Sequence, residues 1–293
     1  MRDGLQNESS ILTADQRLQL LEKLIDTGIT TFEVGAFVSP KWVPQMAHTA
    51  ELATKYAALV IARNYKNLNP SILIPNMVGF EQVLKTNVKE IAVFISSTES
   101  FSQKNINCSI AESLERVKAV TQAAKKNKIK VRGYLSVCFG CPYEGDVPEK
   151  QVIDLVAKLF KLGCYEVSIG DTIGVAQPAQ VKSLFSKLKR KYGVKKLAGH
   201  FHDTRGQSLA NILTALQLGY RIFDSSIGGL GGCPYAKGAS GNVSTEDVVY
   251  MLHGLGFTTG INLEKLIDVN HWLAPQINHV LPSKVGKAGL LKI

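Results

Sequence analysis

The chain has no long uninterrupted apolar segment. No run approaches the roughly 18 to 20 residues that a membrane-spanning helix needs, and no charged-then-apolar stretch reads as a secretory leader. The sequence therefore predicts neither a membrane partner nor a membrane span. We expect that any targeting segment upstream of Met1 would be invisible at this stage.

Cysteine is scarce, with five among 293 residues. An odd number of cysteines in a chain of this length favours free thiols in a reducing compartment over a disulfide scaffold. The pair in "CFGC" (138–141) stands alone, with no second pair and no thioredoxin-like surroundings. It is therefore a weak signal for a zinc or redox site.

Acidic residues are fewer than basic ones, 24 against 34, which gives a formal net charge of +10. A nucleic-acid partner must therefore be considered. The densest basic runs, 125–132 and 187–196, each join the end of a predicted helix to a strand. Lysines there suit the helix dipole and usually face solvent. We expect no nucleic-acid partner and no contact between either run and a substrate, whereas a phosphorylated, acidic small molecule fits the charge equally well.

The sequence contains no G-x-G-x-x-G after an early strand, which argues against a doubly wound dinucleotide-binding sheet. Short apolar, β-branched runs instead alternate with helical patterns about every 30 to 40 residues, which predicts a parallel sheet with right-handed crossovers. The seven predicted strands span 30–37, 71–76, 90–97, 130–137, 165–172, 197–204 and 221–229.

This alternation predicts a (β/α)8 TIM barrel in one domain, 1–293, that lacks its first strand. An eighth helix is predicted at about 245–255, and a C-terminal helical extension from about 260 to 293. We expect the missing strand to precede residue 1, and a mis-set start is the preferred explanation over a natural seven-stranded enzyme. Without that strand, Asp3 should be frayed.

Polar residues collect at the predicted strand ends, where barrel enzymes carry their chemistry. They are Glu33, Asn76, Ser96, Ser97, Asp171, Thr172, His200, His202 and Asp224.

The pair in "GHFHDT" is the strongest metal signal. Side chains alternate along a strand, so His200 and His202 point the same way. Two histidines satisfied by hydrogen bonds are an equally good explanation. Asp3 and Asn242 are candidate oxygen ligands, and two nitrogens, two oxygens and waters would suit Mg²⁺ or Mn²⁺ better than a closed zinc site.

The glycine-rich segment 228–242 carries Cys233. Such a loop is either a lid over an active site or a close-approach loop for phosphates. Its thiol is either inert or placed for proton transfer or nucleophilic attack. The segment 103–109 ends at the start of a predicted helix. Lys104 and that helix start form either a phosphate-binding site or a simple capped loop.

Several motifs then resemble one family. They are "RDGLQNE", "FVSPKWVPQM", "KNINCS", "GCPYEG", "GDTIGV" and "GLGGCPYAKGASGNVSTED". Together, from residue 2 to about 285, they resemble the 3-hydroxy-3-methylglutaryl-CoA lyases, a TIM-barrel metallolyase family. The resemblance implies cleavage of that acyl-CoA to acetyl-CoA and acetoacetate with a divalent cation, Mg²⁺ or Mn²⁺.

The resemblance also implies roles for individual residues. Metal ligands would be Asp3, His200, His202 and Asn242. Arg2 would contact substrate and stabilise an enolate oxygen, His200 would help to move a proton, and Cys233 would serve as acid and base.

The remaining positions carried over from the family lie around this centre. Glu33 and Asp171 would be catalytic neighbours of the metal. Lys104 and Asn105 would lie on the CoA side, with Thr172 as a further substrate contact.

Two alternatives remain open from the sequence. A related synthase that condenses acetyl-CoA with a 2-oxo acid would share the barrel, the metal site and Arg2, but should lack the cysteine-bearing loop and carry a regulatory domain. A truncated chain could instead be an inactive or weakened acyl-CoA binder.

The family's wider features are expectations of the same kind. No cysteine follows Cys233, so we expect no C-terminal thiol switch. The resemblance implies leucine degradation and ketone body formation. We expect a bacterial cytoplasmic protein, or a mitochondrial one if the source is eukaryotic, and a homodimer is left open.

Overall fold

A parallel sheet of seven strands forms the centre of the protein. The computed structural model describes residues 1–232 and 241–291. Each strand pairs in parallel with the next along the chain, in the order β1 to β7. The strands are β1 Thr31–Ala36, β2 Asn69–Leu73, β3 Glu90–Ser96, β4 Lys130–Ser136, β5 Glu166–Asp171, β6 Leu197–Phe201 and β7 Phe223–Asp224.

The helices follow the predicted alternation. They are α1 Arg2–Gln6, α2 Ala14–Asp26, α3 Thr49–Ala62, α4 Met77–Val83, α5 Glu99–Ile106, α6 Ile110–Lys126, α7 Glu149–Leu162, α8 Pro178–Tyr192, α9 Ser208–Gln217, α10 Thr245–Gly254, α11 Leu263–Ile277 and α12 Lys284–Ala288. Within the described ranges, no helix combines the length and apolar character that crossing a membrane would require.

Within residues 1–232 and 241–291, the seven strands and the helices around them confirm the predicted barrel class and the predicted C-terminal helices. In the described part of the chain, β1 and β7 are the two ends of the sheet and do not pair with each other. The predicted helix starts are also present. Thr13 and Ser109 both form reciprocal capping boxes, and Pro178 is the first residue of α8.

Two buried apolar layers stabilise the fold. The larger lies between the strands and their surrounding helices and includes Val34, Ile91 and Leu159. The smaller joins α1, α2 and α11 and includes Leu5 and Leu273. The C-terminal helices therefore pack against the start of the chain, at the end of the sheet where the site lies.

The start of the chain is ordered, so the expectation of a frayed Asp3 is wrong. Residues Arg2–Gln6 form a short helix, and Leu5 is only 3% exposed. Gly4 lies so close to the segment after β7 that a Cβ there would be 3.1 Å from Leu230 Cβ. Burial against other elements supplies the order that we had expected only from a preceding strand.

A second contact ties the start of the chain to the end of α11. His279 Nε2 lies 2.6 Å from Glu8 Oε2, and Ser10 Oγ donates to Ile277 O at 2.9 Å. The Glu8 carboxylate raises the pKa of His279 above its ordinary value of 6.5, and a bond to Val280 O adds to this. Protonated His279 therefore strengthens the connection.

We predict that His279→Gln removes a pH-dependent part of the stability. A histidine whose pKa is raised on folding stabilises the folded protein, and this contribution is complete below its unfolded pKa of about 6.5. The contribution is lost as the pH rises through the pKa of the folded state. In thermal unfolding, the Tm of the wild type should exceed that of the variant at pH 6, and this difference should be smaller at pH 8.5.

Ser10→Ala is the matched control, because it removes a neutral hydrogen bond from the same connection. It should lower Tm by a similar amount at both pH values. A constant Tm difference between wild type and His279→Gln across that range would contradict the ion-pair explanation.

Candidate active site

The curled sheet surrounds a cavity of about 1640 Å³. Among the residues that line it are Arg2, Asp3, Glu33, His200, His202 and Asn242. These residues come from α1, from β1, from the end of β6 and from the return of the glycine-rich segment. The topology thus brings residues separated by more than 200 positions to one end of the cavity.

Three predicted ligands form a compact cluster. Ligand atoms of Asp3, His200 and His202 all lie within 4.8 Å of one another. The two imidazoles face the cavity with centroids 5.2 Å apart, whereas Phe201 between them is fully buried in the apolar core. The alternation predicted for "HFH" is therefore confirmed.

Asn242 joins this cluster through both side chain and backbone. Its Nδ2 donates to Asp3 Oδ2 at 2.7 Å, and its backbone forms an isolated antiparallel bridge with His202. The structure thus places all four predicted ligand residues side by side.

The donor set fits a divalent cation. His202 Nδ1 is buried without a hydrogen-bond partner, and burial lowers the pKa of His202 to about 3, which keeps the ring neutral. Burial alone would raise the pKa of Asp3, but Arg2 and the histidines outweigh it, and this pKa falls well below its usual value. Neutral imidazole with carboxylate and amide oxygen suits metals such as Mg²⁺ or Mn²⁺.

Arg2 is held at the cluster by acidic partners. Its Nε donates to Glu33 Oε2 at 2.9 Å, and its NH1 donates to Asp3 Oδ1 at 2.7 Å and to Gln6 Oε1 at 3.3 Å. Burial opposes the charge, yet Glu33 and Asp3 raise the pKa of Arg2 above its ordinary value. The guanidinium therefore stays charged and fixed at the cavity wall.

A deeper layer of the site was missed from the sequence. Tyr134 donates to Glu33 Oε1 at 3.0 Å and accepts from Arg132 NH1 at 2.9 Å. Arg132 also donates to Glu166 Oε1 at 2.6 Å and Asp224 Oδ1 at 2.8 Å. The period of two in "KVRGYLS" was the available signal, because it places both side chains on one face of β4.

This layer corrects the interpretation of one basic run. We expected residues 125–132 to face solvent and to make no contact with a substrate. Lys125 and Lys126 do lie in the last turn of α6. Lys130 and Arg132, however, already belong to the strand and line the cavity.

Asp171 lies apart from the cavity. Its Oδ1 accepts from Val175 N at 2.9 Å and its Oδ2 from Ala176 N at 3.0 Å. Burial raises the pKa of this carboxyl to about 6. The carboxylate organises the loop after β5 in this structure, and its catalytic role stays a prediction. Thr172 does line the cavity, where its Oγ1 accepts from Val137 N at 3.1 Å.

Lys104 and Asn105 also line the cavity, from the last turn of α5. The start of α6 is a capped loop. Ile110 N donates to Glu99 Oε2 at 2.9 Å, and Glu112 N donates to Ser109 Oγ at 3.1 Å. Because a carboxylate already occupies this helix start, it is a poor phosphate receptor, and the capped-loop explanation is the better one.

Cys233 lies outside the described residues. The two ends of its segment meet beside the ligand cluster, where a Cβ on Gly241 would lie 2.5 Å from the backbone of Leu230. Gly231 has φ +114°, and a Cβ there would lie 2.7 Å from Asn242 Nδ2. Glycine is thus required where the loop closes on Asn242.

The "CFGC" thiols are buried and free. Cys138 Sγ donates to Leu135 O at 3.1 Å, and Thr98 Oγ1 donates to Cys141 Sγ at 3.1 Å. Both sulfurs thus take part in neutral hydrogen bonds with neighbouring residues.

The fold and the site define a TIM-barrel enzyme with a cluster of residues that could hold a metal ion. Residues 1–273 match the sequence profile of the HMGL-like family, and the chain belongs to that family.

Solved structures and curated sequences agree with this placement. The chain is 47% identical to the mitochondrial hydroxymethylglutaryl-CoA lyase of Rattus norvegicus, with 98% of this chain and 86% of that protein covered. It is 46% identical to the crystal structure of the hydroxymethylglutaryl-CoA lyase of Pseudomonas aeruginosa, with a TM-score of 0.93 and 98% and 94% coverage. A further HMG-CoA lyase structure, from Acinetobacter baumannii with coenzyme A and 3-methylmalate, is 35% identical with a TM-score of 0.93 and 100% and 95% coverage.

We predict that Tyr134→Phe destabilises the site and slows turnover. The change removes one hydrogen bond from Glu33 and one from Arg132, which should cost about 1 to 3 kcal/mol in the free energy of unfolding. Turnover should fall because Glu33 also holds Arg2. Urea unfolding and steady-state kinetics measure the two effects.

Tyr165→Phe is the control, since its hydroxyl bonds to Glu90 at 2.8 Å in a half-exposed position. Its effect on stability should stay within about 0.5 kcal/mol. Equal losses in both variants would refute a special role for Tyr134.

Proposed function

We propose that this enzyme is a carbon–carbon lyase that cleaves 3-hydroxy-3-methylglutaryl-CoA to acetyl-CoA and acetoacetate with a divalent cation. The observation that carries this proposal is the meeting of Asp3, His200, His202 and Asn242 beside Arg2 at one end of a large cavity. Relatives that are lyases over nearly the whole chain support the same conclusion.

An acyl-CoA is the proposed substrate. The cavity volume of about 1640 Å³ is ample for the acyl group and part of the pantetheine arm. Lys104, Asn105 and Thr172 line its wall and are the proposed substrate contacts together with Arg2. The related lyase solved with coenzyme A supports this ligand class.

The four clustered residues would hold the cation. When bound, it would polarise the tertiary hydroxyl and a carboxylate oxygen of the substrate. Asp3 supplies an anionic oxygen and His202 a neutral imidazole. The peptide bridge between His202 and Asn242 fixes the distance between two of the ligand residues.

The protein's own groups would then move the protons. The tertiary hydroxyl would give its proton to a water molecule, and His200, which faces the cavity as a proposed ligand of the cation, would help to orient the hydroxyl for this transfer. The carbon–carbon bond breaks, acetoacetate takes the new carbonyl, and the electron pair passes to the acetyl-CoA enolate. Arg2, fixed by Glu33, offers charge to the enolate oxygen. Cys233 gives a proton to the enolate carbon, and Asp171 supports the loop beside the histidines.

Several finer points complete the proposal. Mg²⁺ or Mn²⁺ is the proposed cation, and residues 1–293 are proposed to form one catalytic domain. The lyase activity would serve leucine degradation and ketone body formation. Relatives from a mitochondrion and from a bacterium support the two proposed locations, bacterial cytoplasm or mitochondrion. A homodimer stays an open expectation.

The first prediction from this proposal concerns the metal and the reaction. Protein stripped with EDTA should release no acetoacetate from 3-hydroxy-3-methylglutaryl-CoA, and added Mg²⁺ or Mn²⁺ should restore release. Acetyl-CoA with 2-oxo acids should liberate no CoA. Metal-independent release would contradict the mechanism, and CoA release from 2-oxo acids would favour the synthase alternative. If the protein unfolds cooperatively but releases neither acetoacetate nor CoA in these assays, the inactive acyl-CoA binder would be favoured.

The second prediction concerns the loop thiol. Cys233→Ala should lower kcat by roughly 10² to 10⁴ while leaving thermal stability unchanged, because the enolate carbon loses its proton donor. Cys164→Ala is the control, since Cys164 is buried in the apolar core, and it should lower Tm with little change in kcat. Unchanged turnover in Cys233→Ala would remove the role assigned to the thiol.

A further inference from the structure

Asp224 lies directly behind one of the proposed ligands. It is the last residue of β7, and its Oδ2 lies 3.4 Å from His200 Nδ1. The opposite ring nitrogen, His200 Nε2, faces the ligand cluster at 4.0 Å from Asp3 Oδ2. One edge of the imidazole therefore meets a carboxylate, and the other meets the proposed metal position.

Asp224 is itself fixed on both oxygens. Arg132 NH1 donates to Oδ1 at 2.8 Å, and Ser168 Oγ donates to Oδ2 at 2.7 Å. Arg132 and Asp224 line the cavity, and the two form a salt bridge. Both oxygens of Asp224 face donors from Arg132 and Ser168, and an ionised carboxylate can only accept hydrogen bonds.

An acceptor at Nδ1 decides where the ring carries its proton. With a proton on Nδ1 directed at Asp224, the lone pair of Nε2 is free for a cation. A metal-binding histidine commonly donates its other N–H to such a carboxylate, which fixes the tautomer and the ring orientation.

We propose that Asp224, held by Arg132 and Ser168, is a positioning residue that fixes His200 with Nε2 presented to the cation. This inference rests on the metal site proposed above. It extends that site to Asp224, Arg132 and Ser168, which lie outside the motif "HFHDT". It assigns Arg132 a function beyond the buried ion pair with Glu166, because Arg132 sets the orientation of the Asp224 carboxylate.

Asp224→Asn is the sharpest test, because neither orientation of the amide satisfies both neighbours. If the amide oxygen faces His200, the NH₂ group meets the donor NH1 of Arg132. If the oxygen faces Arg132, the NH₂ group donates to His200 Nδ1 and drives the proton onto Nε2, where it blocks the metal. The variant should bind Mn²⁺ about 10- to 100-fold more weakly than wild type.

The experiment titrates EDTA-stripped full-length protein with Mn²⁺ by calorimetry. Ser168→Ala, which removes one neutral hydrogen bond from Asp224, should weaken Mn²⁺ binding only a few-fold. Glu166→Gln is the matched control, since it also removes a carboxylate from Arg132 but leaves Asp224 beside His200. It should keep wild-type affinity within about twofold.

A spectroscopic signal separates positioning from loss of structure. In protein labelled with ¹⁵N-histidine, long-range ¹H–¹⁵N spectra should show the His200 proton on Nδ1 in wild type and Glu166→Gln, and not in Asp224→Asn. His200→Gln identifies the signal. Thermal unfolding of each variant verifies folding.

The outcomes distinguish the two proposals. A wild-type protein that binds no Mn²⁺ would overturn the metal site itself. Wild-type affinity in folded Asp224→Asn, with the Nδ1 proton retained, would overturn the positioning role alone. An equal loss in Glu166→Gln with the Nδ1 proton of His200 retained would also overturn it, because the affinity would then fall without any change in the orientation of His200.

Discussion

The ion pairs of Arg2 with Asp3 and Glu33 are the interaction on which the site depends. They join a five-residue helix to β1 and direct an oxygen of Asp3 toward Asn242. A helix of this length is not stable by itself. Its position therefore comes from these buried charges and from the packing of Leu5, and the same contacts set the position of the proposed ligand Asp3.

The pairs continue into a closed network around the cavity. Buried charges are costly unless each one meets partners, and here every member except Glu166, which pairs with Arg132, contacts two or more others. Four carboxylates face two guanidiniums in this network, and the balance would be restored by a divalent cation. The members are Asp3, Arg2, Glu33, Tyr134, Arg132, Glu166, Asp224 and His200.

Much of this arrangement could be predicted from the sequence, because strand and helix periods and the polar strand ends are local signals. The alternation around His200 predicted that both imidazoles face the cavity, and the segment after β7 brings Asn242 beside His202. The roles of Arg132 and Tyr134 were missed. The composition of a basic run does not show whether the side chains at its end, such as Arg132, face the cavity or the solvent. The ordered start was missed because its stability comes from contacts with residues about 30 to 240 positions away.

The most direct test of the account is an anomalous diffraction map of crystals grown with Mn²⁺. The account predicts one strong peak at coordinating distance from Asp3, His200 and His202, with Asn242 turned to offer its oxygen and Arg2 still paired with Glu33. A well-ordered crystal with its peak elsewhere, or with no peak at this cluster, would contradict the central claim.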